Sequence, residues 1–157
     1  MSSNAAPVFE SLSHVSLPCR DFEEAKRFFT EVLGAKLLLD VGDFAEVDIA
    51  GAVFGMSHLG GKLPAPDQEY PHYAFWVDQQ NMLGLKQRLA GFGIPTGPLW
   101  TRHGVEALMF FKDPSGNLFE VFCREFDGAG KLPHNPSPRG HGAIVDLTTL
   151  NYDHWGE

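Results

Sequence analysis

Apolar positions along this chain recur with two periods, and the order of those periods repeats. "SLSHVSLP" (11–18) alternates as a half-buried strand does. In "RDFEEAKRFFTEVLGA", Phe22, Ala25, Phe28, Phe29, Val32 and Leu33 recur at helical spacing. Asp21 with Glu24 three residues on reads as a capping box, and Gly34 as a stop. Short strand-like runs follow, "AKLLLDV", "FAEVDIA" and "AVFGMSHL", broken at Gly42-Asp43 and Gly51. After the loop "GGKLPAPDQE" the order restarts with a strand, "HYAFWV", and a helix, "DQQNMLGLKQRLAGFG", whose Met82, Leu85 and Leu89 share a face. "IPTGPLW", "VEALMFF" and "NLFEVFC" then read as strands, the last two joined by the turn "KDPSG". His14 precedes Ala35 by 21 residues, and His72 precedes Gly93 by the same interval. The pattern predicts an internal βαβββ duplication over residues 8–125, with helices near 21–34 and 79–91. Residues 126–157, rich in Gly, Pro and His before "AIVDLTTLNYDHW", are expected to form an extended C-terminal arm that ends in a short strand or a docked tail.

Composition narrows the function classes. With 157 residues, 43% hydrophobic and 20% charged, the chain can bury one sizeable core. A formal charge of −8 argues against nucleic-acid and anionic-membrane surfaces, which want basic patches. No apolar run approaches the ~20 residues that cross a bilayer, and "MSSNAAPVFE" lacks a secretory signal's basic and apolar regions. Cys19 and Cys123 form neither a disulfide framework nor a CxxC pair. Free thiols and a cytoplasmic location are the expectation.

Side chains alternate faces along a strand. The first strand places Leu12, His14 and Ser16 together; the fifth places His72, Ala74 and Trp76 together; the last places Leu118, Glu120 and Phe122 together. Each strand has an opposite, very apolar face for a helix to cover. The polar faces therefore carry His14, His72 and Glu120. A glutamate inside "NLFEVF" is the strongest anomaly, because an ionised carboxylate buried without a partner costs several kcal/mol. Two imidazoles and a carboxylate make the facial triad of non-haem iron. Pairing of Glu120 with Arg102 or Arg124, or three unrelated buried polar residues, is the competing reading.

These pieces, "SHVSL" with "DFEEAKRFFTEVLGAKL", "PHYAFWVD" and "DPSGNLFEVF", resemble the vicinal-oxygen-chelate superfamily, which includes glyoxalase I, fosfomycin-resistance thiol transferases and extradiol dioxygenases. The resemblance spans about residues 10–125. It implies an α+β fold in which paired βαβββ modules form a curved mixed sheet around a metal cleft, with His14, His72 and Glu120 as ligands of one divalent ion. Glyoxalase-like members usually add a fourth ligand from the first module's last strand; here "AVFGMSHL" offers only His58.

"WTRHGVEALMFFKDPSGNLFEVF" looks most like the extradiol ring-cleaving members, where a histidine in an "RHG"-like stretch lines the pocket. The implied function is extradiol cleavage of a catechol-like aromatic by O2 at an Fe(II) site. His103 would be its acid–base group, and Trp76, Trp100, Phe110 and Phe111, with His58, would line the substrate pocket. Two departures stand against it: Met109, Phe110 and Phe111 occur where those enzymes often carry a tyrosine, and this is one domain. The alternative is a glyoxalase I or fosfomycin-resistance-like thiol-dependent metalloenzyme using Mn, Ni or Zn, for which Lys62 and Arg102 are the available cationic groups. A metal-free bleomycin-sequestering protein fits less well with an intact triad. Exposed sheet edges and the superfamily's habit imply a homodimer, with the arm after Arg124 crossing to the partner.

Overall fold

The computed structural model describes residues 8–59, 61–135 and 144–156. The first module contains β1 (Val15–Leu17), α1 (Phe22–Arg27), β2 (Lys36–Asp40), β3 (Phe44–Ile49) and β4 (Ala52–Ser57). The second contains β5 (His72–Trp76), α2 (Gln79–Gly91), β6 (Ala107–Lys112) and β7 (Leu118–Cys123). Asp21 caps α1 through Oδ1, which accepts the Glu24 amide at 2.8 Å. Glu24 does not close the capping box; its carboxylate instead takes both branches of the Arg20 guanidinium at 2.8 Å. The first helix runs on from Arg27 as a π-helical turn, Phe28–Val32, whose wider spacing keeps Phe28, Phe29 and Val32 all in the core. Asp78 caps α2 in the same way as Asp21 caps α1, at 2.7 Å to the Asn81 amide.

The two modules repeat one ladder. In the first, β1 pairs parallel with β4 and β4 antiparallel with β3, giving the order β1-β4-β3-β2. In the second, β5 pairs parallel with β7 and β7 antiparallel with β6, giving β5-β7-β6. The expected strand "IPTGPLW" is reduced to the bridges Thr96–Phe111 and Trp100–Leu108. Pro98 has no N–H to give to a ladder, so the pairing breaks between the two bridges. The hydrogen-bonded surface is two sheets rather than one continuous sheet, and no ladder joins them among the described residues.

One apolar face of each sheet meets the other, under the helices. Phe54 of the first sheet lies 5.4 Å from Tyr73 and 5.9 Å from Phe119 of the second, ring centre to ring centre. Phe29 of the π-helical turn completes this group, 5.9 Å from Phe119. Met82 and Leu89 of α2, fully buried, join the same core. The opposite faces of both sheets, which carry the polar residues, point away from it.

The arm forms a short 3₁₀ turn, Ala129–Lys131, and a second at Leu147–Leu150. Its end docks on its own chain: Trp155 packs edge-on against Phe28 at 5.9 Å and donates Nε1–H to Glu24 at 3.1 Å. The stretch 136–143, within the arm expected to reach a partner, lies outside the described residues.

Candidate metal centre

The register of the second sheet sets the site. Ala74, Glu120 and Phe110 form one cross-strand row, and His72 and Leu118 the next. His72 and Glu120 therefore share a face, one row apart, and their Nε2 and Oε2 atoms lie 3.5 Å apart. The His72 Nδ1 is 3.2 Å from the Glu69 carbonyl, an acceptor only, so Nδ1 carries a proton and Nε2 is the atom that faces Glu120. Phe110 stands edge-on to the imidazole at 5.6 Å and limits its rotation.

Glu120 is 6% exposed. Burial pushes its carboxyl above the usual range, against the pull of His72 and Arg102, while Glu69 adds to the rise. Arg102 owes its place to a built turn. Its amide and that of His103 donate to Glu106 Oε1 at 2.7 and 3.0 Å, and the Gly104 amide donates to Thr101 Oγ1 at 2.9 Å. Its guanidinium lies over the Trp100 ring at 5.0 Å. A buried carboxylate beside an imidazole, both held by their surroundings, is a donor set suited to a divalent ion.

His14 is elsewhere. It precedes β1 in the first sheet, is exposed, and meets the Ser13 hydroxyl at 3.0 Å. Among the described residues, no group of three or more His, Cys, Asp or Glu is arranged to hold an ion. One chain thus brings together two of the three expected ligands. The duplication nevertheless gives His14 an equivalent setting. The row Ser16–Gly55–Glu46 in the first sheet corresponds to Ala74–Glu120–Phe110 in the second, and each histidine sits two residues before its row. Gly55 occupies the position of the carboxylate, and a Cβ there would come within 3.3 Å of the Phe44 ring. Ser16, Phe44, Gly55, Ser57 and Lys62 line a cavity of about 370 Å³ on this face.

The remaining sequence-derived site residues divide. His103 turns outward with its side chain 79% exposed, 3.3 Å from Glu106. His58 is exposed at the end of β4, with Nδ1 3.1 Å from the Asp43 carbonyl, and is not with the other candidates. Phe111 points into the inter-sheet core, stacked on Phe119 at 5.6 Å, because adjacent strand residues face opposite ways. Phe110 and Trp100 are on the site's face but fully buried, stacked on each other at 6.1 Å. Trp76 is on that face at the far end of β5, 61% exposed, with Arg124 3.9 Å over its ring. The competing pairing of Glu120 with Arg102 is present as a longer-range attraction alongside His72. Sequence reasoning missed Glu69 and Glu46. Only Glu46 had a legible signal, since with Asp48 it makes the polar face of the alternating "FAEVDIA".

Comparisons with known proteins agree with this architecture. Over 138 residues the chain is 26% identical to the glutathione transferase FosA of Serratia marcescens, covering 80% of this chain and 96% of that one. The fosfomycin-resistance protein FosX of Listeria monocytogenes, solved with Mn(II) and sulfate, superposes with a TM-score of 0.65 at 21% identity, over 79% of this chain and 98% of that one. Lactoylglutathione lyase of Agrobacterium tumefaciens superposes with a TM-score of 0.58 at 19% identity, over 72% and 92%. The profile of one family matches residues 11–121, and the chain belongs to it: the Glyoxalase/Bleomycin resistance protein/Dioxygenase superfamily.

Proposed function

We propose that this protein is a metal-dependent enzyme that adds a thiol to a small electrophile chelating the ion through two oxygens, as the fosfomycin-resistance and glyoxalase branch implies, rather than an extradiol dioxygenase. The observation that carries the reading is the buried Glu120 carboxylate facing the Nε2 of His72 at 3.5 Å. His72 and Glu120 would hold a divalent ion, of which Mn(II) is one, in place of the expected Fe(II). When bound, that ion would supply Lewis-acid polarisation of the substrate's oxygen.

Two observations turn the reading away from ring cleavage. His103, the acid–base group expected for it, is exposed and paired with Glu106. Trp100, Phe110 and Phe111, the expected wall for an aromatic ring, are at most 2% exposed. The thiol reading needs a cation near the centre to hold an anionic substituent, and Arg102, whose charge Glu120 feels, is suited to it.

A second copy completes the centre in this proposal. Phe9 and Leu12 beside His14 are 87% and 81% exposed, and the leucines of the edge strand β2 are 41–46% exposed, an apolar surface that calls for cover. The partner subunit's His14 would supply the third ligand, and Ser16 and Glu46 arrive on the same face. Glu46, half-buried, is the group there able to take a proton from a thiol.

The test is metal analysis of the purified protein followed by turnover with two panels. Thiol consumption is followed with fosfomycin plus glutathione, and thioester formation with the methylglyoxal–glutathione hemithioacetal; oxygen uptake is followed with catechols. Metal-dependent turnover in the first panel is expected. Oxygen uptake with catechols, and none of the first activity, would return the reading to ring cleavage.

A further inference from the structure

The C-terminal segment lies beyond the family match, which ends at residue 121, yet it occupies the face of the second sheet that carries the candidate ligands. Val145, Leu147 and Leu150, 4%, 4% and 1% exposed, cluster with Trp100, Phe110 and Leu118. Phe110 and Leu118 are the row-mates of Glu120 and His72, so the segment's apolar side chains lie against the residues that flank both ligands.

The segment is capped within this contact and fastened to the domain just beyond it. Asp146 caps its 3₁₀ turn by accepting the Thr148 amide at 3.0 Å. The Lys112 ammonium, itself 1% exposed, donates to Asn151 Oδ1 at 2.8 Å and to the Pro66 carbonyl at 2.7 Å. Tyr152 donates its hydroxyl to the Lys112 carbonyl at 2.8 Å, and Arg20 donates to the Asp153 carbonyl at 2.8 Å. The Gly156 amide donates to the Phe92 carbonyl at 2.8 Å. A segment that merely trailed from the domain would not bury a lysine to hold itself.

We infer that residues 144–156 are a fixed wall of the metal centre that determines substrate size: Val145, Leu147 and Leu150 fill the apolar space beside Phe110, so the centre accepts a small oxygen chelator and rejects one carrying a large ring. The inference rests on the metal-centre reading above. It adds that the selecting residues come from outside the repeated modules. A methylene group more or less in an apolar pocket is worth roughly 10–200-fold in discrimination, and Leu→Ala removes more than one.

The test uses the full-length protein loaded with Co(II), with visible absorption reporting binding rather than turnover. Acetohydroxamate and 2-naphthohydroxamate present the same two chelating oxygens on a small and a large body. The wild type should bind the small one at least roughly ten-fold tighter, and the Leu147→Ala/Leu150→Ala variant should shrink or reverse that ratio about ten-fold. Asn151→Ala keeps the apolar residues and removes the acceptor for Lys112; it should shift the ratio in the same direction by less, and it guards against misfolding of the double variant. Equal binding of the two by the wild type, or an unchanged ratio in both variants, would overturn the inference while leaving the metal centre intact. Absence of any Co(II) spectrum in the wild type would overturn the metal-centre reading and the inference with it.

Discussion

Replacing Glu120 by Gln keeps the size of the side chain and removes its charge, and two effects of opposite sign should follow. Without metal, the wild type holds a carboxylate 6% exposed whose nearest base, His72, is at 3.5 Å, beyond the ~2.7–3.2 Å of a good N–H···O bond. Neutral replacement of poorly compensated buried charge is often stabilising by about 1–4 kcal/mol; Gln still buries a polar amide, so ~1 kcal/mol is the expected gain. With metal, the order reverses. A divalent ion at one hundred times its dissociation constant stabilises the wild type by about 2.7 kcal/mol, and the Glu120→Gln protein, lacking the anionic ligand, should gain little. Urea midpoints in EDTA and in excess Mn(II), at pH 8 and one protomer concentration, measure both. The wild type should be the less stable of the two in EDTA, and the more stable by about 1–2 kcal/mol with metal. A Glu120→Gln variant that is weaker in EDTA, or that gains as much as the wild type from Mn(II), would refute the argument.

Mixing His14→Ala with Glu120→Ala protein tests the shared centre. If the partner subunit's His14 completes each site, half the dimers at equilibrium are mixed and one of their two sites is intact, so about a quarter of wild-type activity should return from two inactive parents. No recovery on mixing would refute the shared centre. His103→Asn should leave turnover within about two-fold of wild type, because its side chain is 79% exposed. Glu46→Gln should lower turnover about 10²-fold with metal content unchanged, as loss of a general base does; comparable losses for both would be wrong for this geometry. Burial pushes Asp113 up to about 7, against the amide donors of Ser115 and Asn117. A carboxyl raised in the folded state adds stability that is complete below its unfolded pKa of about 4 and is lost as pH rises through about 7. The urea midpoint should therefore fall between pH 5 and pH 8, and fall less in Asp113→Asn; a midpoint rising over that range would contradict it.

The duplication is legible in the sequence because each half obeys both periods, and the paired histidines mark equivalent places in them. Glu120 is legible from the sheet alternation that flanks it. The split into two sheets is not, since alternation marks which residues form a strand but not which strand each edge pairs with. The "RHG" turn does reach Glu120, but the charge that Glu120 feels from it is that of Arg102, while His103 is turned outward. Glu106, three residues beyond His103, takes both the Arg102 and His103 amides and so fixes the backbone of this turn. Phe111 is misplaced by the pattern for another reason: in "EALMFFKD" both phenylalanines suit either face, and only the pairing of Phe110 with Glu120 fixes the alternation. The covering of Trp100 and Phe110 depends on a contact with residues 145–150, some forty residues later, which no local pattern encodes.

Gly55 also fixes the charge that a loaded cleft would carry. Two neutral imidazoles and one carboxylate leave a divalent ion with one net positive charge, and a second carboxylate at that position would cancel it. A side chain there would have to push the Phe44 ring aside, since its Cβ alone would come within 3.3 Å of that ring. A chain of formal charge −8 would thus hold a positive point inside a cleft, where low-dielectric walls focus its field. Anionic molecules would find the cleft faster than neutral ones of equal size. That advantage would fade with added salt, as the screening length shortens from ~30 Å at 0.01 M to ~10 Å at 0.1 M.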